Sequence, residues 1–395
     1  MKKFITLLLT IIMILSCTSI NGVFALNNQD YFAGKQVKIT EKTNLIDPQT
    51  GKITKSGYSF TPMFSYSRDE IQTASWRTKE WDFYQVSNDR YMLQVTIADI
   101  SLGGAVTVGF QDMQTGKKYS AMVLKLFTFG SMNIAEDDSV AREYTLKKRN
   151  FDFYLCVSDT ERIIKFNGKV SGKDCRIDLH LDMLPNHESH YITVPFDTKD
   201  GKHFYYNQKT NCMATTGYVK MGGETFCEFK GKEDNSFCVL DWGRGVWPLH
   251  EVWWWGNGST VLKDNDGNEH IFGFEIGWGF GDTTDASEST LFYDGKAYKI
   301  GYLKLENQDE IVGHYTDTEW IIKSYEDPEC TIPQGSFEMT MTPEYDNYTM
   351  LRFVCVGNLC HQVFGKWNGT VKLDDETTLE IKDMKAFLER SDNIW

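Results

Sequence analysis

Apolar and polar residues alternate with a period of two along much of this chain. Arg176-Ile177-Asp178-Leu179-His180-Leu181-Asp182 is one clean run, and Tyr91-Met92-Leu93-Gln94-Val95-Thr96-Ile97 is another. A third, Val106-Thr107-Val108-Gly109-Phe110, follows Gly103-Gly104. Successive strand side chains point to opposite faces, so this period predicts half-buried strands. Near the end, Val371-Lys372-Leu373 and Leu379-Glu380-Ile381 read as strand segments around an acidic turn at Asp374-Asp375-Glu376-Thr377. The one helical pattern is Lys382 to Arg390, where Met384, Phe387 and Leu388 share one face and predict a short C-terminal helix. The expected class is all-β and mostly antiparallel.

One alternating run is unusual. Phe272, Phe274, Ile276, Trp278 and Phe280 occupy one face, and Gly273, Glu275, Gly277, Gly279 and Gly281 the other. That second face is nearly bare and carries a single carboxylate. Glycine weakens a strand and is favoured where something comes close or the strand bends. A flat ligand, a neighbouring Trp ring or a barrel corner would each fill the space. An earlier block has the same character: Asp241-Trp-Gly-Arg-Gly-Val-Trp-Pro248, then Leu249-His-Glu-Val-Trp-Trp-Trp-Gly256.

The order Trp81, Gly109-Phe-Gln-Asp112, Gly116-Lys-Lys-Tyr119 echoes Trp253, Gly279-Phe-Gly-Asp282, Gly295-Lys-Ala-Tyr298. This predicts two similar β units, residues 38–222 and 223–395. The stretch Asn207 to Gly223 reads as the loop crossing between them. Residues 1–25 read as a signal peptide: Lys2 and Lys3, an apolar run from Phe4 to Leu15, then Val23-Phe24-Ala25. Residues 26–37 form a leader, and the protein is expected to be exported. A lipid anchor at Cys17, after Ile14-Leu15-Ser16, is the alternative.

Composition narrows the partners. The 395 residues carry a formal charge of −14, and removing the signal takes away two Lys and no acid, giving −16. Such acidity argues against nucleic acid and anionic membranes. No later run reaches the roughly 18 apolar residues of a membrane span. Eight cysteines remain after cleavage, an even count that permits disulfides without fixing a pairing. No C-x-x-C pair, nucleophile motif, Walker loop or dinucleotide fingerprint occurs, so no metal or cofactor is expected. Oligomeric state is not legible. Asn257, Asn347 and Asn368 head glycosylation sequons.

The charged candidates are Asp241, Arg244, His250, Glu251, Glu275, Asp282 and Glu288. A carboxyl among Trp rings and glycines loses solvation, so its pKa rises and it can hold a proton near neutrality. Such an acid could protonate an alkene or enol, and ring faces would stabilise a carbocation. Glu275, Asp241 and Asp282 are therefore the catalytic candidates, Glu275 foremost. Arg244, Trp247, His250, Trp253, Trp255, Trp278 and Glu288 are the candidate ligand contacts. Arg244 is expected to pair with Asp241 or with an acid of the second block. Blander readings stand beside these: a structural Asp241–Arg244 pair, a solvent-facing Glu275, and tryptophans that simply fill a core.

Five blocks carry a resemblance: Tyr205-Tyr-Asn-Gln-Lys-Thr-Asn-Cys-Met213, Asp241-Trp-Gly-Arg-Gly-Val-Trp-Pro248, Gly277-Trp-Gly-Phe-Gly-Asp282, Phe292-Tyr-Asp-Gly-Lys296 and His361-Gln-Val-Phe-Gly-Lys366. With Glu80-Trp-Asp82 and Thr96-Ile-Ala-Asp99, they make the chain similar to the family called domain of unknown function 2804, from about residue 38 to the end. The resemblance implies Asn where this chain has Glu275 and Ser289, two departures that put any shared role of those positions in doubt. More distantly the chain resembles lipocalin-like (calycin) two-barrel proteins such as tocopherol cyclase and carotenoid hydratase. Those relatives bind apolar, often prenylated molecules between or inside two barrels. The resemblance implies two lipocalin-like barrel or sandwich units. It also implies binding of a hydrophobic small molecule in an aromatic pocket. The alternatives are a cofactor-free cyclase, isomerase or hydratase using a buried acid, and a surface protein that stacks sugars on Trp.

Overall fold

The computed structural model describes residues 35–353 and 356–394. The signal peptide, Cys17, Cys355 and most of the leader lie outside them. Two curled antiparallel sheets make up the protein. The first has thirteen strands. One edge is a meander of Thr78–Ser87, Tyr91–Asp99, Gly103–Asp112 and Lys117–Leu126. Strand Thr78–Ser87 continues through Phe237–Val246 and Phe204–Met221 to Lys173–Asp182 and on to the far edge. The second sheet has nine strands. It also starts with a meander, from His250–Lys263 to Glu269–Trp278, Thr290–Tyr293 and Lys296–Lys299. Its other side is built from Thr378–Ile394, Val356–Lys372 and Ser336–Phe353. A two-residue parallel pair, Thr43–Asn44 with Phe64–Ser65, is separate.

The period of two does what it predicts. Ile177, Leu179 and Leu181 enter the core inside the first curl, with Leu93, Val95 and Ile97. Phe272, Phe274, Ile276 and Trp278 enter the core inside the second. The outer faces of the two sheets pack on each other through three smaller clusters, one of them joining Met92 and Val239 to Trp255, Phe364 and Phe387.

Three expectations are corrected. The tail is not a helix: Thr378–Ile394 is a strand. Met384, Ala386 and Leu388 face the second core, while Phe387 faces the first sheet. Burial on both faces puts apolar residues at both parities, and the sum mimics a helical stripe. The stretch from Asn207 is not a crossing loop but lies in the central strand Phe204–Met221, whose residues Phe204 to Thr215 are all buried. The passage from one sheet to the other falls between Val246 and His250, since strands Glu224–Lys230 and Phe237–Val246 pair within the first sheet. It does not follow residue 222.

Candidate functional site

The bare face of Glu269–Trp278 looks at the first sheet. A Cβ at Gly273 would meet the Cys212 sulfur at 2.5 Å, and one at Gly277 would strike the Glu288 carboxylate. These glycines therefore make room for side chains of neighbouring segments. Gly279 has φ +91°, a left-handed conformation that ends the alternation. Phe280 consequently leaves the second core and packs on Tyr205 at 4.7 Å and Trp253 at 4.9 Å.

Strand register then lines up two rows of charge. On the first sheet His190 pairs with Lys209, Lys209 with Asp241, and Asp241 with Phe83. On the second, Asn257 pairs with Glu275, Glu275 with Thr290, and Thr290 with Lys299. The rows meet between the sheets. Lys209 Nζ lies 3.0 Å from Asp241, 3.5 Å from Glu275 and 4.3 Å from the Trp255 ring centre. Trp255 Nε1 donates to Glu275 at 2.6 Å, and Trp81 Nε1 donates to Asp241 at 3.0 Å. Asn207 donates to Asp241 at 2.6 Å.

Acids outnumber cations in this layer, and the protonation follows. Burial pushes the Glu275 carboxyl up to about 8 although Lys209 opposes it. Burial also raises Glu288, against the same lysine. Burial lowers the Lys299 ammonium to about 7 and holds His190 well below the usual imidazole range. Burial alone would lower Lys209, but Asp241, Glu275 and Glu288 outweigh it and keep it charged.

A cavity of about 380 Å³ opens beside this layer. Its aromatic side is Trp81, Phe83 and Tyr205 from the first sheet with Trp253, Trp255 and Phe280. Its polar side is a grid on three neighbouring strands of the second sheet. Glu389 pairs with Gln362 and Gln362 with Asn347; Ser391 pairs with Cys360 and Cys360 with Thr349; Asn393 pairs with Asn358. All eight line the cavity. Glu389 accepts from Ser391 at 3.1 Å and Gln362 at 3.2 Å, and burial pushes its carboxyl up to about 7. Glu288 lines the cavity too, and its Oε1 has no hydrogen-bond partner.

The structure brings together Asp241, Trp253, Trp255 and Glu288 at the cavity, with Glu275 sealed directly behind Trp255. Trp247 is fully buried in the adjoining aromatic cluster, 4.5 Å from Trp81. Four candidates lie elsewhere. Arg244 has the opposite parity to Asp241 and enters the first core, where it pairs with Asp82 at 2.8 Å and stacks on Trp242 at 3.7 Å. Asp282 is exposed and caps a turn by accepting from Thr284. His250 is exposed and pairs with Asp392 at 2.8 Å. Trp278 stacks on Trp254 inside the second core. Glu251 belongs to no wall of the cavity, although burial raises it to about 7.

Sequence reasoning missed Lys209 and Glu389, because both sit on strands whose two faces are buried. The usable signal was Tyr205, Asn207, Lys209 and Asn211, a polar set at strand spacing inside a quoted block. The sequons at Asn257 and Asn347 are buried and hydrogen-bonded, whereas Asn368 is exposed. Among the described residues no cluster of His, Cys, Asp and Glu fits a metal ion. Their cysteines are free thiols. None of their helices is long and apolar enough to cross a membrane.

Two curled antiparallel sheets enclosing an acid-rich layer define an all-β protein with a cavity between its sheets. The chain belongs to the family described as Domain of unknown function (DUF2804), whose pattern matches residues 36–395. No curated protein matches it. Among solved structures it is similar to a putative AttH from Nitrosomonas europaea, at 11% identity and TM-score 0.40 over 80% of this chain and 92% of that one. It is also similar to kievitone hydratase from Nectria haematococca, at 8% identity and TM-score 0.39 over 80% and 88%. CghA matches at 8% identity and TM-score 0.36 over 92% and 98%.

Proposed function

We propose that the protein binds a small molecule in the cavity between its sheets, one that joins a flat apolar ring to hydroxyl or carbonyl groups. The observation that carries this reading is the two-sided wall, six aromatic side chains against a grid of amide, hydroxyl and carboxyl groups. Ligand pockets of roughly 300–1,000 Å³ combine apolar surface with a few placed polar groups. The Trp rings lie between the sheets, which supports an enclosed ligand over a sugar platform on an open rim. Organic extraction of the purified protein followed by mass spectrometry should release such a compound. Phenols should quench the tryptophan fluorescence, and Trp253→Ala should weaken that binding about tenfold. Unchanged affinity in this variant would overturn the reading.

One observation favours a second reading, acid catalysis. Glu389 is on the cavity wall and its carboxyl rises to about 7, so near neutrality it can both hold and give a proton. Glu275, the acid favoured by the sequence, has a similar shift but does not line the cavity; it meets the cavity wall through Trp255 and Lys209. A cyclase, isomerase or hydratase would then use Glu389 as its acid. Glu389→Gln should abolish turnover of a compound recovered by extraction while leaving its binding nearly intact; a variant that still turns it over excludes that role.

A further inference from the structure

The cavity wall of the first sheet does not stop at the cavity. Trp81 pairs with Ala98, Ala98 with Ala105, and Ala105 with Leu124. Phe83 pairs with Thr96, Thr96 with Thr107, and Thr107 with Met122. Gln94 pairs with Gly109 and Gly109 with Ser120. Each row begins among cavity-lining residues or beside them and runs outward across two more strands of the same face. Side chains of the intervening strand Gly103–Asp112 on that face are small from Gly103 through Ala105 and Thr107 to Gly109, and Gln111 follows them at the end that pairs with Lys118. Their opposite neighbours Val106, Val108 and Phe110 fill the first core.

Beyond that low strip stands a ridge on the edge strand Lys117–Leu126. Met122 is 60% exposed, Leu124 59% and Leu126 63%. Phe127 and Phe129, which follow the strand in the chain, are exposed as well. Nothing in the fold requires these positions to be apolar, because Tyr119, Ala121 and Val123 of the same strand already face the core. Contiguous exposed apolar surface of this kind marks a binding surface. Strands lie about 4.8 Å apart, so the ridge stands roughly 10 Å from Thr96. At its start, Lys118 reaches across to Asn347 at 2.7 Å and ties the edge strand to the opposite cavity wall. The result is a shallow trough that leaves the cavity, is floored by small residues and is closed at the Lys118 end.

Resting on the binding function proposed above, we infer that the ligand carries an aliphatic tail, which lies in this trough against Met122, Leu124 and Leu126 while its ring occupies the cavity. Continuity of the strand register from cavity to ridge selects this occupant. A second copy or a membrane would have no need of a strip of small residues leading inward.

The test uses the full chain and a series of 4-alkylphenols, from methyl to nonyl, followed by tryptophan quenching. Burial of each methylene should tighten binding by about fourfold until the trough is filled. A triple variant, Met122→Thr with Leu124→Thr and Leu126→Thr, should bind 4-methylphenol as the unaltered chain does and lose most of the gain with tail length. Threonine suits an exposed strand, and an unchanged circular dichroism spectrum confirms folding. No gain with tail length, or an equal gain in the variant, overturns the inference and leaves the cavity reading intact. Failure of every phenol to bind overturns both. Sedimentation of the unliganded chain and flotation with phosphatidylglycerol vesicles complete the test. A dimer or a vesicle complex that the triple variant abolishes assigns the ridge to that occupant and overturns the inference.

Discussion

The protein buries two charged clusters, and they are built on opposite principles. Inside the first core, Arg68, Arg142, Arg162 and Arg244 face Glu80, Asp82, Asp99 and Asp138. Cations and acids are matched, and guanidinium groups serve more than one carboxylate. Burial would raise the Asp138 carboxyl, but Arg162 and Arg142 outweigh it and hold it below the ordinary range. Between the sheets, Asp241, Glu275, Glu288 and Glu389 face Lys209 and a Lys299 whose charge burial weakens, and burial raises Glu275, Glu288 and Glu389. Matched charge inside a core stays ionised and rigid. Unmatched acid beside a cavity keeps protons that a ligand can meet. The difference lies in the partners, although both clusters look alike as a list of buried acids.

Removing a cation should expose this difference most strongly. Arg244→Met leaves Asp82 only the longer pair with Arg142 at 3.3 Å and takes a donor from the carbonyls of Trp81, Gly243 and Ala135. A broken buried pair costs about 3–5 kcal/mol, and thermal or urea unfolding should register a loss of that size. Lys209→Met should cost less, on the order of 2 kcal/mol. Glu275 is already largely protonated near neutrality, and Asp241 retains Trp81 and Asn207 as donors. Equal losses in the two variants would show that the layer between the sheets is ionised like the core.

The pH dependence should then run in opposite directions. Glu389 has a folded pKa of about 7 against an ordinary 4.5, so the folded chain binds that proton more tightly than the unfolded chain. Its contribution is complete below pH 4.5 and is lost as pH rises through 7, on the order of 3 kcal/mol. Glu275 behaves alike through about 8. Asp138 has a lowered pKa, so its contribution is present above pH 3.8 and is lost as pH falls further. Glu389→Gln should therefore flatten the fall in unfolding temperature between pH 4.5 and 7 and leave the acid limb unchanged. A variant that keeps the full neutral-range slope would remove Glu389 as its source.

How much of this was readable differs between the same two regions. Strands with one wet face, such as Arg176 to Asp182, announce themselves through alternation, as do the apolar residues they bury. The layer between the sheets consists of strands buried on both sides, where that signal vanishes. Asn207 to Gly223 therefore reads as loop and Lys382 to Arg390 as helix, and Lys209 and Glu389 are lost with them. Where alternation survived, parity was informative: it placed Glu275 opposite the second core. Applied to the earlier block, parity would also have separated Asp241 from Arg244, three positions apart on one strand.

The smallest effect expected is at Asp282, and it sharpens the boundary of the site. The residue stands inside the most distinctive block of the sequence, yet its carboxylate only accepts hydrogen bonds from the Thr284 amide and hydroxyl in an exposed turn. A local bond of that kind contributes roughly 0.5–1.5 kcal/mol. The turn is also held by the Asp282 amide donating to Pro195 at 2.7 Å, which a side-chain change leaves in place. Asp282→Ala should thus lower unfolding stability by no more than about 1 kcal/mol. Phenol affinity should stay within twofold of the unaltered chain, whereas Trp253→Ala lowers it about tenfold. Stability is measured by urea unfolding and affinity by tryptophan quenching on the same preparations. A tenfold loss of affinity in Asp282→Ala would place the turn in the binding site and erase the line between sequence signature and cavity wall.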